Sequence, residues 1–137
     1  MPGLMVNIDV DDLDKGVAFY GAAFGLTVGR RFGGDMVEML GLPAPLYLLR
    51  KSAGSTASPE GASKRDYRRH WTPVHIDIVV EDISAAVARA EQAGAVLEAP
   101  ITSANWGHMA LMADPFGHGF CLIEYVGRGY DEIADPR

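Results

Sequence analysis

Two stretches of the chain carry the same alternation of apolar and polar residues at an offset of 70 positions. The first, Met5–Val10, and the second, His75–Val80, place an apolar residue at every other position, which is the pattern of a half-buried β-strand. Each stretch leads into an aspartate, Asp12 or Asp82, which is followed by apolar residues at helical spacing. The sequence therefore predicts the same strand–helix unit twice.

The repeat extends to residue identity and to the elements that follow. The first copy shares five residues with the second at the same offset, namely Ile8, Val10, Asp12, Val17 and Ala18, matched by Ile78, Val80, Asp82, Val87 and Ala88. In each copy a glycine ends the predicted helix, Gly25 or Gly94, and strands separated by turn residues come next. The pattern predicts an α+β protein of two βαβββ repeats.

The predicted strands are bounded by glycine, proline and other turn residues. In the first repeat they cover Met5–Val10, Thr27–Phe32, Met36–Leu40 and Leu46–Leu49. In the second repeat they cover Val74–Val80, Val96–Ala99, His108–Ala113 and Gly119–Tyr125, with Pro100–Gly107 as a loop.

A chain of 137 residues is about the size of one globular domain. We predict one domain with repeat 1 at about 4–50, a linker at 51–72, repeat 2 at about 73–125 and a C-terminal surface tail at 126–137. The start of the linker is small and polar, which predicts a flexible connection. Its end, Lys64–Trp71, is basic and aromatic; we favour a solvated linker, and the alternative is a lid that contacts an anionic ligand or a second subunit.

Composition excludes several classes of protein. The single cysteine, Cys121, excludes an internal disulfide and a cysteine-rich metal site. The net charge of −6 argues against a nucleic-acid partner and favours a neutral or cationic ligand. No apolar run approaches the roughly 20 residues of a membrane span, and Met1–Met5 lacks the features of a signal peptide. We expect a cytoplasmic protein without a membrane partner.

Six short segments of the two repeats are distinctive, namely Val10–Asp14, Ala18–Tyr20 and Phe24–Leu26, then His75–Asp77, Glu81–Ile83 and Asp114–His118. Through them the two repeats resemble the vicinal oxygen chelate superfamily, which includes glyoxalase I, bleomycin-resistance proteins and extradiol dioxygenases. The resemblance covers about residues 4–125 and implies two sheets paired into an incomplete barrel around a central cavity, usually in a homodimer.

In that superfamily, function depends on four inward positions, one on the first and one on the last strand of each unit. The resemblance places them on Met5, Tyr47, His75 and Cys121. Metal-dependent members carry histidines and glutamates there, and only His75 is such a ligand here. We therefore predict no metal and no other cofactor. The alternative is a divalent metal, which a shifted last strand would bind through Glu124 or His118.

The inward face nevertheless remains polar. His75 and Asp77 share one strand face, as do Asn7 and Asp9 in the first copy. A histidine beside a carboxylate can act as a general acid or base near neutral pH, or can hydrogen-bond a ligand. These groups also have a purely structural interpretation, in which they satisfy one another. We predict as catalytic residues His75, Asp77 and Asp9, and as ligand-binding residues Met5, Asn7, Tyr47, Trp106 and Cys121.

Three functions are compatible with this pattern. The leading hypothesis is a protein that binds a small organic molecule in its cavity without metal, for sequestration or for acid–base chemistry. The second is a metal-dependent lyase or dioxygenase of the glyoxalase superfamily. The third is a noncatalytic module that binds a protein partner.

Overall fold

The structure is a computed structural model that describes every residue from Met1 to Arg137. It consists of two compact units, Met1–Arg68 and Arg69–Arg137. Each unit contains one α-helix and one open mixed sheet, so the predicted α+β class and the duplicated unit are confirmed.

The first unit follows the predicted order of elements. These are β1 (Val6–Val10), α1 (Leu13–Phe24), β2 (Thr27–Phe32), β3 (Met36–Leu40) and β4 (Leu46–Arg50). The strands lie in the order β1-β4-β3-β2, with β1 parallel to β4 and the other pairs antiparallel.

The second unit repeats this arrangement with one additional strand. Its elements are β5 (Ile76–Val79), α2 (Ile83–Ala93), β6 (Val96–Leu97), β7 (Thr102–Ala104), β8 (Gly107–Ala113), β9 (Gly119–Tyr125) and a 3₁₀ turn (Gly129–Glu132). The strands lie in the order β5-β9-β8-β6, and β7 also pairs with β8.

Both helices begin and end as their sequences predict. Asp12 Oδ1 accepts a hydrogen bond from the backbone N of Lys15 at 3.0 Å, and Asp82 Oδ1 accepts one from Ala85 at 3.1 Å. These bonds satisfy backbone donors that have no partner within the helix. Gly25 and Gly94 end the helices with φ of 69° and 117°, in the left-handed region that favours glycine.

The strand register is the same in the two units. Asn7 of β1 pairs with Tyr47 of β4, and Asp77 of β5 pairs with Cys121 of β9. Tyr47 and Cys121 therefore occupy matching positions, as the sequence comparison assumed.

Several strand boundaries differ from the prediction by one or two residues. The difference that matters for the site is that β5 begins at Ile76, so His75 lies immediately before it; β6 also ends earlier, at Leu97. The predicted loop Pro100–Gly107 contains β7, a short strand that the sequence analysis missed because its residues are small, polar and exposed.

Residues 51–68 form a closed loop of the first unit, whereas composition predicts a flexible connection. An isolated bridge joins Thr56 to Lys64, and the backbone N of Gly54 donates to the carbonyl of Arg65 at 2.7 Å. The loop is attached by its side chains as well, since the Tyr67 hydroxyl donates to the Lys51 carbonyl at 2.6 Å.

Neither helix could cross a membrane. The longer one, α1, has 12 residues, well short of the roughly 20 apolar residues that a membrane-spanning helix requires.

Candidate functional site

Three predicted site residues come together in the second unit. His75 precedes β5, Asp77 lies on β5, and Cys121 lies opposite Asp77 on β9. Their potential ligand atoms all lie within 4.8 Å of one another. The alternation of side chains from His75 into β5 places His75 and Asp77 on one face. The parallel pairing of β5 with β9 adds Cys121 to the same face.

His75 and Asp77 form a close pair. Nε2 of His75 lies 3.0 Å from Oδ1 of Asp77, and both side chains are about half exposed. An imidazole whose Nε2–H points at a carboxylate carries its lone pair on Nδ1. This pairing therefore leaves Nδ1 of His75 to accept a proton or a hydrogen bond from a ligand.

Cys121 is a buried thiol beside that pair. Burial, the negative charge of Asp77 and a hydrogen bond with Asp77 raise the pKa of Cys121 from its ordinary value near 9.0 to about 11. At neutral pH the group is a protonated thiol, which is a poor nucleophile. In this arrangement it can donate to Asp77 and help to orient that carboxylate.

A cavity of about 270 Å³ opens beside His75 and Cys121. A volume near 300 Å³ is at the lower end of small-molecule sites. The wall combines apolar and polar residues, which are Arg69, Trp71, Thr72, His75, Glu98, Leu111, Met112, Gly119, Phe120 and Cys121. All of them belong to the second unit.

An ion pair stiffens one side of the cavity. Arg69 Nε and Nη2 donate to the Glu98 carboxylate at 2.6 and 2.8 Å. This hydrogen-bonded pair raises the pKa of Arg69 and lowers the pKa of Glu98. The guanidinium lies against Gly119, where an added Cβ would come within 2.7 Å of Nη2. The cavity wall therefore carries two opposite charges that neutralise each other.

The matching position of the first unit lies in a different environment. The Tyr47 hydroxyl donates to Oε2 of Glu38 at 2.8 Å and accepts from Nη2 of Arg30 at 2.9 Å. Arg30 also binds Glu38 directly, through Nη2 at 2.7 Å. Hydrogen bonds from Arg30 and Tyr47 lower the pKa of Glu38 from 4.5 to about 2. Tyr47 thus belongs to a compact ion-paired cluster.

Sequence reasoning missed this cluster, although a signal was present. Glu38 is the only charged residue of the predicted strand Met36–Leu40 and is 6% exposed. A carboxylate in an otherwise apolar strand is costly to bury without a cationic or hydrogen-bonding partner, so its position in the sequence indicates that such a partner exists.

The other predicted residues of the first unit do not form a comparable group. Asp9 Oδ2 accepts from Nε of Arg65 at 2.8 Å, so this carboxylate helps to attach the 51–68 loop. Asn7 is exposed on β1, and Met5 is 59% exposed before the strand begins. A catalytic role for Asp9 and ligand contacts for Asn7 and Met5 stay predictions.

Trp106 lies in an aromatic cluster at the other end of β9. Its ring centroid is 6.3 Å from that of Tyr125 and 5.0 Å from that of Tyr130. Tyr130 comes from the predicted surface tail, which turns back through the 3₁₀ turn. Trp106 is not among the residues that line the cavity described above, so ligand stacking on it stays a prediction.

The two residues that a shifted register would recruit are engaged elsewhere. Glu124 Oε1 accepts from the backbone N of Ile83 at 2.8 Å and so caps the start of α2. His118 lies in the turn before β9, with its Nδ1 2.9 Å from Nε2 of His70. The metal alternative that rests on Glu124 or His118 stays a prediction.

The cluster of His75, Asp77 and Cys121 is nevertheless of a kind that binds divalent metals. One imidazole, one carboxylate and one thiolate form a donor set that suits zinc with one open position. These three side chains fit such an ion in type and number, and the ion would have to displace the thiol proton of Cys121.

Comparison with known proteins identifies the family. The glyoxalase-like domain family matches residues 5–123, and the chain belongs to that family. The resemblance to the vicinal oxygen chelate superfamily is therefore confirmed. Among curated relatives, the uncharacterized protein Mb0911c of Mycobacterium bovis is 30% identical over 146 residues, an alignment that covers 96% of this chain and 90% of the relative.

Solved structures of the superfamily share the fold. A glyoxalase/bleomycin resistance protein/dioxygenase family enzyme from Burkholderia phytofirmans aligns with a TM-score of 0.70 and 15% identity, over 89% of this chain and 97% of that one. The fosfomycin resistance protein FosX from Listeria monocytogenes aligns with a TM-score of 0.68 and 18% identity, over 92% and 95%. Lactoylglutathione lyase from Agrobacterium tumefaciens aligns with a TM-score of 0.61 and 21% identity, over 90% and 95%.

Proposed function

We propose that the chain binds a small organic molecule in the cavity of the second unit, without a metal ion, and that His75 is the group that hydrogen-bonds it or exchanges a proton with it. The observation that carries this proposal is the cavity of about 270 Å³ with His75 and Cys121 in its wall. A concave site that combines apolar walls with a few convergent polar groups is the usual form of a small-molecule site.

The chemistry of the pair defines what His75 would do. Asp77, 3.0 Å away, accepts a hydrogen bond from the Nε2–H of His75 and so orients the ring. Nδ1 is then a general base for a ligand O–H, N–H or activated C–H group, and the resulting imidazolium is a general acid. If the ligand has no reactive proton, the same nitrogen accepts a hydrogen bond and the protein sequesters the molecule.

The charges of the wall favour a neutral or weakly basic ligand. Arg69 is neutralised by Glu98, and Cys121 is a neutral thiol at pH 7. Asp77 remains as a negative charge next to the cavity whenever His75 is neutral. Leu111, together with the apolar atoms of other wall residues, would bury the body of such a molecule.

Saturation-transfer NMR with a panel of small neutral, basic and acidic organic compounds tests the proposal. Leu111→Trp would fill the cavity from a partly exposed position and should abolish the binding of any compound that the parent protein binds. Val79→Trp, at an exposed position on β5, is the matched control and should bind as the parent does. Binding that survives Leu111→Trp would overturn the assignment of the cavity, and a parent that binds no compound would favour the protein-partner hypothesis.

A compound from that panel separates sequestration from acid–base chemistry. His75→Gln keeps a hydrogen-bonding side chain but removes the titrating group. If the compound is transformed, the variant should retain binding and lose turnover by about 10²–10⁴-fold, the range of general acid–base catalysis. If it is only sequestered, no product forms with either protein and the affinity falls modestly.

The donor set of His75, Asp77 and Cys121 supports a metal-dependent enzyme as the second candidate. A divalent ion bound there would supply Lewis acidity to a ligand oxygen in the cavity. Elemental analysis of the purified protein distinguishes the two candidates. A near-stoichiometric metal content that Cys121→Ser and His75→Ala both remove would establish the second candidate and overturn the metal-free proposal.

A further inference from the structure

The two tryptophans of the chain lie in opposite environments. The ring of Trp106 packs on Tyr125 and Tyr130, with centroids 6.3 and 5.0 Å away. Trp71 is 80% exposed, and no other ring of the chain contacts its indole. Trp71 nevertheless belongs to the wall of the cavity. The largest aromatic side chain at the cavity is therefore left uncovered by the protein.

The backbone on either side of Trp71 is held in place. Before it, the backbone N of His70 donates to the Gly117 carbonyl at 3.2 Å. After it, the Thr72 hydroxyl donates to the Val74 carbonyl at 2.7 Å. The indole is thus presented to the cavity from a segment whose neighbours are already bonded. Such preorganisation lowers the entropy that a ligand must lose when it binds there.

An uncovered indole favours a ligand that contains a flat ring. The faces of the indole are apolar and carry the negative part of its quadrupole, so a second ring stacks on it with an offset or contacts it edge to face. A saturated ligand of the same size gains from the burial of apolar area but not from this directional attraction. Trp71 therefore distinguishes planar from puckered ligands.

The other wall residues suit an aromatic ligand of one or two rings. Leu111, Met112 and Phe120 supply apolar and polarizable surface, and a thioether contacts aromatic rings favourably. His75 in the same wall can hydrogen-bond a polar substituent of the ring. The volume of about 270 Å³ is at the lower end for small-molecule sites, so the ligand is smaller than a typical drug.

Charge narrows the class of ligand further. Arg69 in the wall is neutralised by Glu98, whereas Asp77 places a carboxylate beside His75. The face of an indole attracts positive charge and repels negative charge. Both features disfavour an aromatic acid and favour a neutral or basic aromatic compound.

We propose that Trp71 is a ligand-contacting residue that stacks on a planar ring, so that the cavity takes neutral or basic aromatic compounds of one or two rings. This inference rests on the proposed function, because it names the class of ligand that would occupy the same cavity. An aliphatic ligand, or a second copy of the chain seated on the indole, would contradict it.

Matched pairs of compounds separate stacking from apolar burial. Naphthalenemethanol and naphthalenemethylamine are planar, and their decahydro counterparts keep the carbon skeleton and the polar group without the aromatic ring. Isothermal titration calorimetry at pH 7 gives the ratio of the two affinities within each pair. Naphthoic acid is the anionic member of the series, and we expect it to bind more weakly than either planar partner.

The ratio is then compared between the parent and two variants. Trp71→Leu keeps an apolar side chain but removes the ring, and the preference for the planar compound should fall by about two- to twelvefold, the range of an aromatic pair beyond its buried area. Phe32→Leu makes the matching change at a partly exposed ring of the first unit and should keep the ratio of the parent. Far-UV circular dichroism checks that both variants fold. A ratio unchanged in Trp71→Leu would overturn the inference.

The emission of Trp71 tests for coverage by a second copy of the chain. In a Trp106→Phe background Trp71 is the only tryptophan, and the emission maximum is recorded without any compound over a wide range of protein concentration. We expect the emission of an exposed indole at every concentration. A blue shift as the protein concentration rises would show that another copy covers the indole, and would overturn the inference.

The outcomes also separate this inference from the proposed function. If Leu111→Trp abolishes binding but Trp71→Leu leaves the preference for planar compounds unchanged, this inference alone is wrong. If the preference depends on Trp71 but survives in Leu111→Trp, the assignment of the cavity is wrong and the stacking role of Trp71 stands. If the parent binds saturated compounds of the wider panel but neither planar compound, this inference alone is again wrong.

Discussion

The two units are alike on the side of the sheet that faces the helix and different on the other side. On the helix side, Ile8 pairs with Leu48 in the first unit and Ile78 pairs with Leu122 in the second. A Cβ on Gly16 of α1 would lie 3.2 Å from the Leu48 side chain, which shows how closely helix and sheet approach. The fully buried leucines of the two units, Leu48 and Leu122, both lie on this shared side.

On the opposite side, three residues that pair across neighbouring strands form a closed cluster in the first unit and an open site in the second. They are Asn7, Tyr47 and Glu38 in the first unit, and Asp77, Cys121 and Leu111 in the second. The first unit fills this side with an ion-paired network centred on Glu38, and the second leaves a cavity beside Cys121. A duplicated scaffold can thus keep its packing and change its chemistry, because the two are on opposite faces of the sheet.

The largest expected effect comes from the shared side. Leu48→Ala and Leu122→Ala each empty a position that is fully buried, and each should lower the free energy of unfolding by about 2–5 kcal/mol. Urea denaturation measures both. If either variant cost less than about 1 kcal/mol, the equivalence of the two packed faces would be wrong.

The second prediction concerns Cys121, on the side that differs. With a pKa of about 11 instead of 9.0, its thiolate fraction at pH 7 is roughly a hundredfold smaller than that of an ordinary thiol. Alkylation by iodoacetamide, followed by mass spectrometry, should be slower by at least that factor and should accelerate as the pH rises toward 11. Asp77→Asn removes a negative charge and should increase the rate at pH 7, whereas Asp131→Asn, on the 3₁₀ turn, should not. Equal rates in Asp77→Asn and the parent would contradict this account of the thiol.

The third prediction tests the closed cluster. The pKa of Glu38 is lowered to about 2 in the folded chain, so its contribution to stability is complete above about pH 4.5 and is lost as the pH falls toward 2. Glu38→Gln should lower the urea midpoint at pH 7, and the difference from the parent should shrink progressively between pH 4.5 and 2. Asp35→Asn breaks an exposed ion pair with Arg50 and should have little effect at either pH. A constant difference for Glu38→Gln across that range would show that its ionisation is unimportant.

Sequence reasoning predicted the features that local patterns encode. The alternation around Ile8 and Ile78 placed the first strand of each unit, and Asp12 with Asp82 placed the helix starts, because capping needs a side-chain acceptor at that position. The match between Tyr47 and Cys121 followed from the repeat and is confirmed by the pairing of β4 and β9.

The remaining features depend on contacts between residues distant in sequence. Arg65 binds Asp9, 56 positions away, and this ion pair helps to close a loop whose composition has no period. Likewise, the backbone N of His70 bonds the Gly117 carbonyl, and Gly119 lies against the Arg69 guanidinium. No local pattern identifies these partners. The cavity arises from how side chains of several segments are placed, and such placement is not encoded in periodicity.

The smallest expected effect concerns the contacts that attach the segment after the last strand in each unit. In the first unit the Tyr67 hydroxyl bonds the Lys51 carbonyl, and Tyr67→Phe should cost about 0.5–1.5 kcal/mol, the net worth of one hydrogen bond. In the second unit Tyr130 packs on Trp106 through its ring and hydrogen-bonds Tyr125, but the residue is 46% exposed, so Tyr130→Phe should cost less. Burial, with the nearby negative charges, raises the pKa of Tyr67 to about 12, so its contribution to stability is complete below pH 10 and is lost as the pH rises toward 12. Urea midpoints from pH 7 to 11 should therefore fall more steeply in the parent than in Tyr67→Phe, and parallel curves would show that the hydroxyl does not anchor the loop.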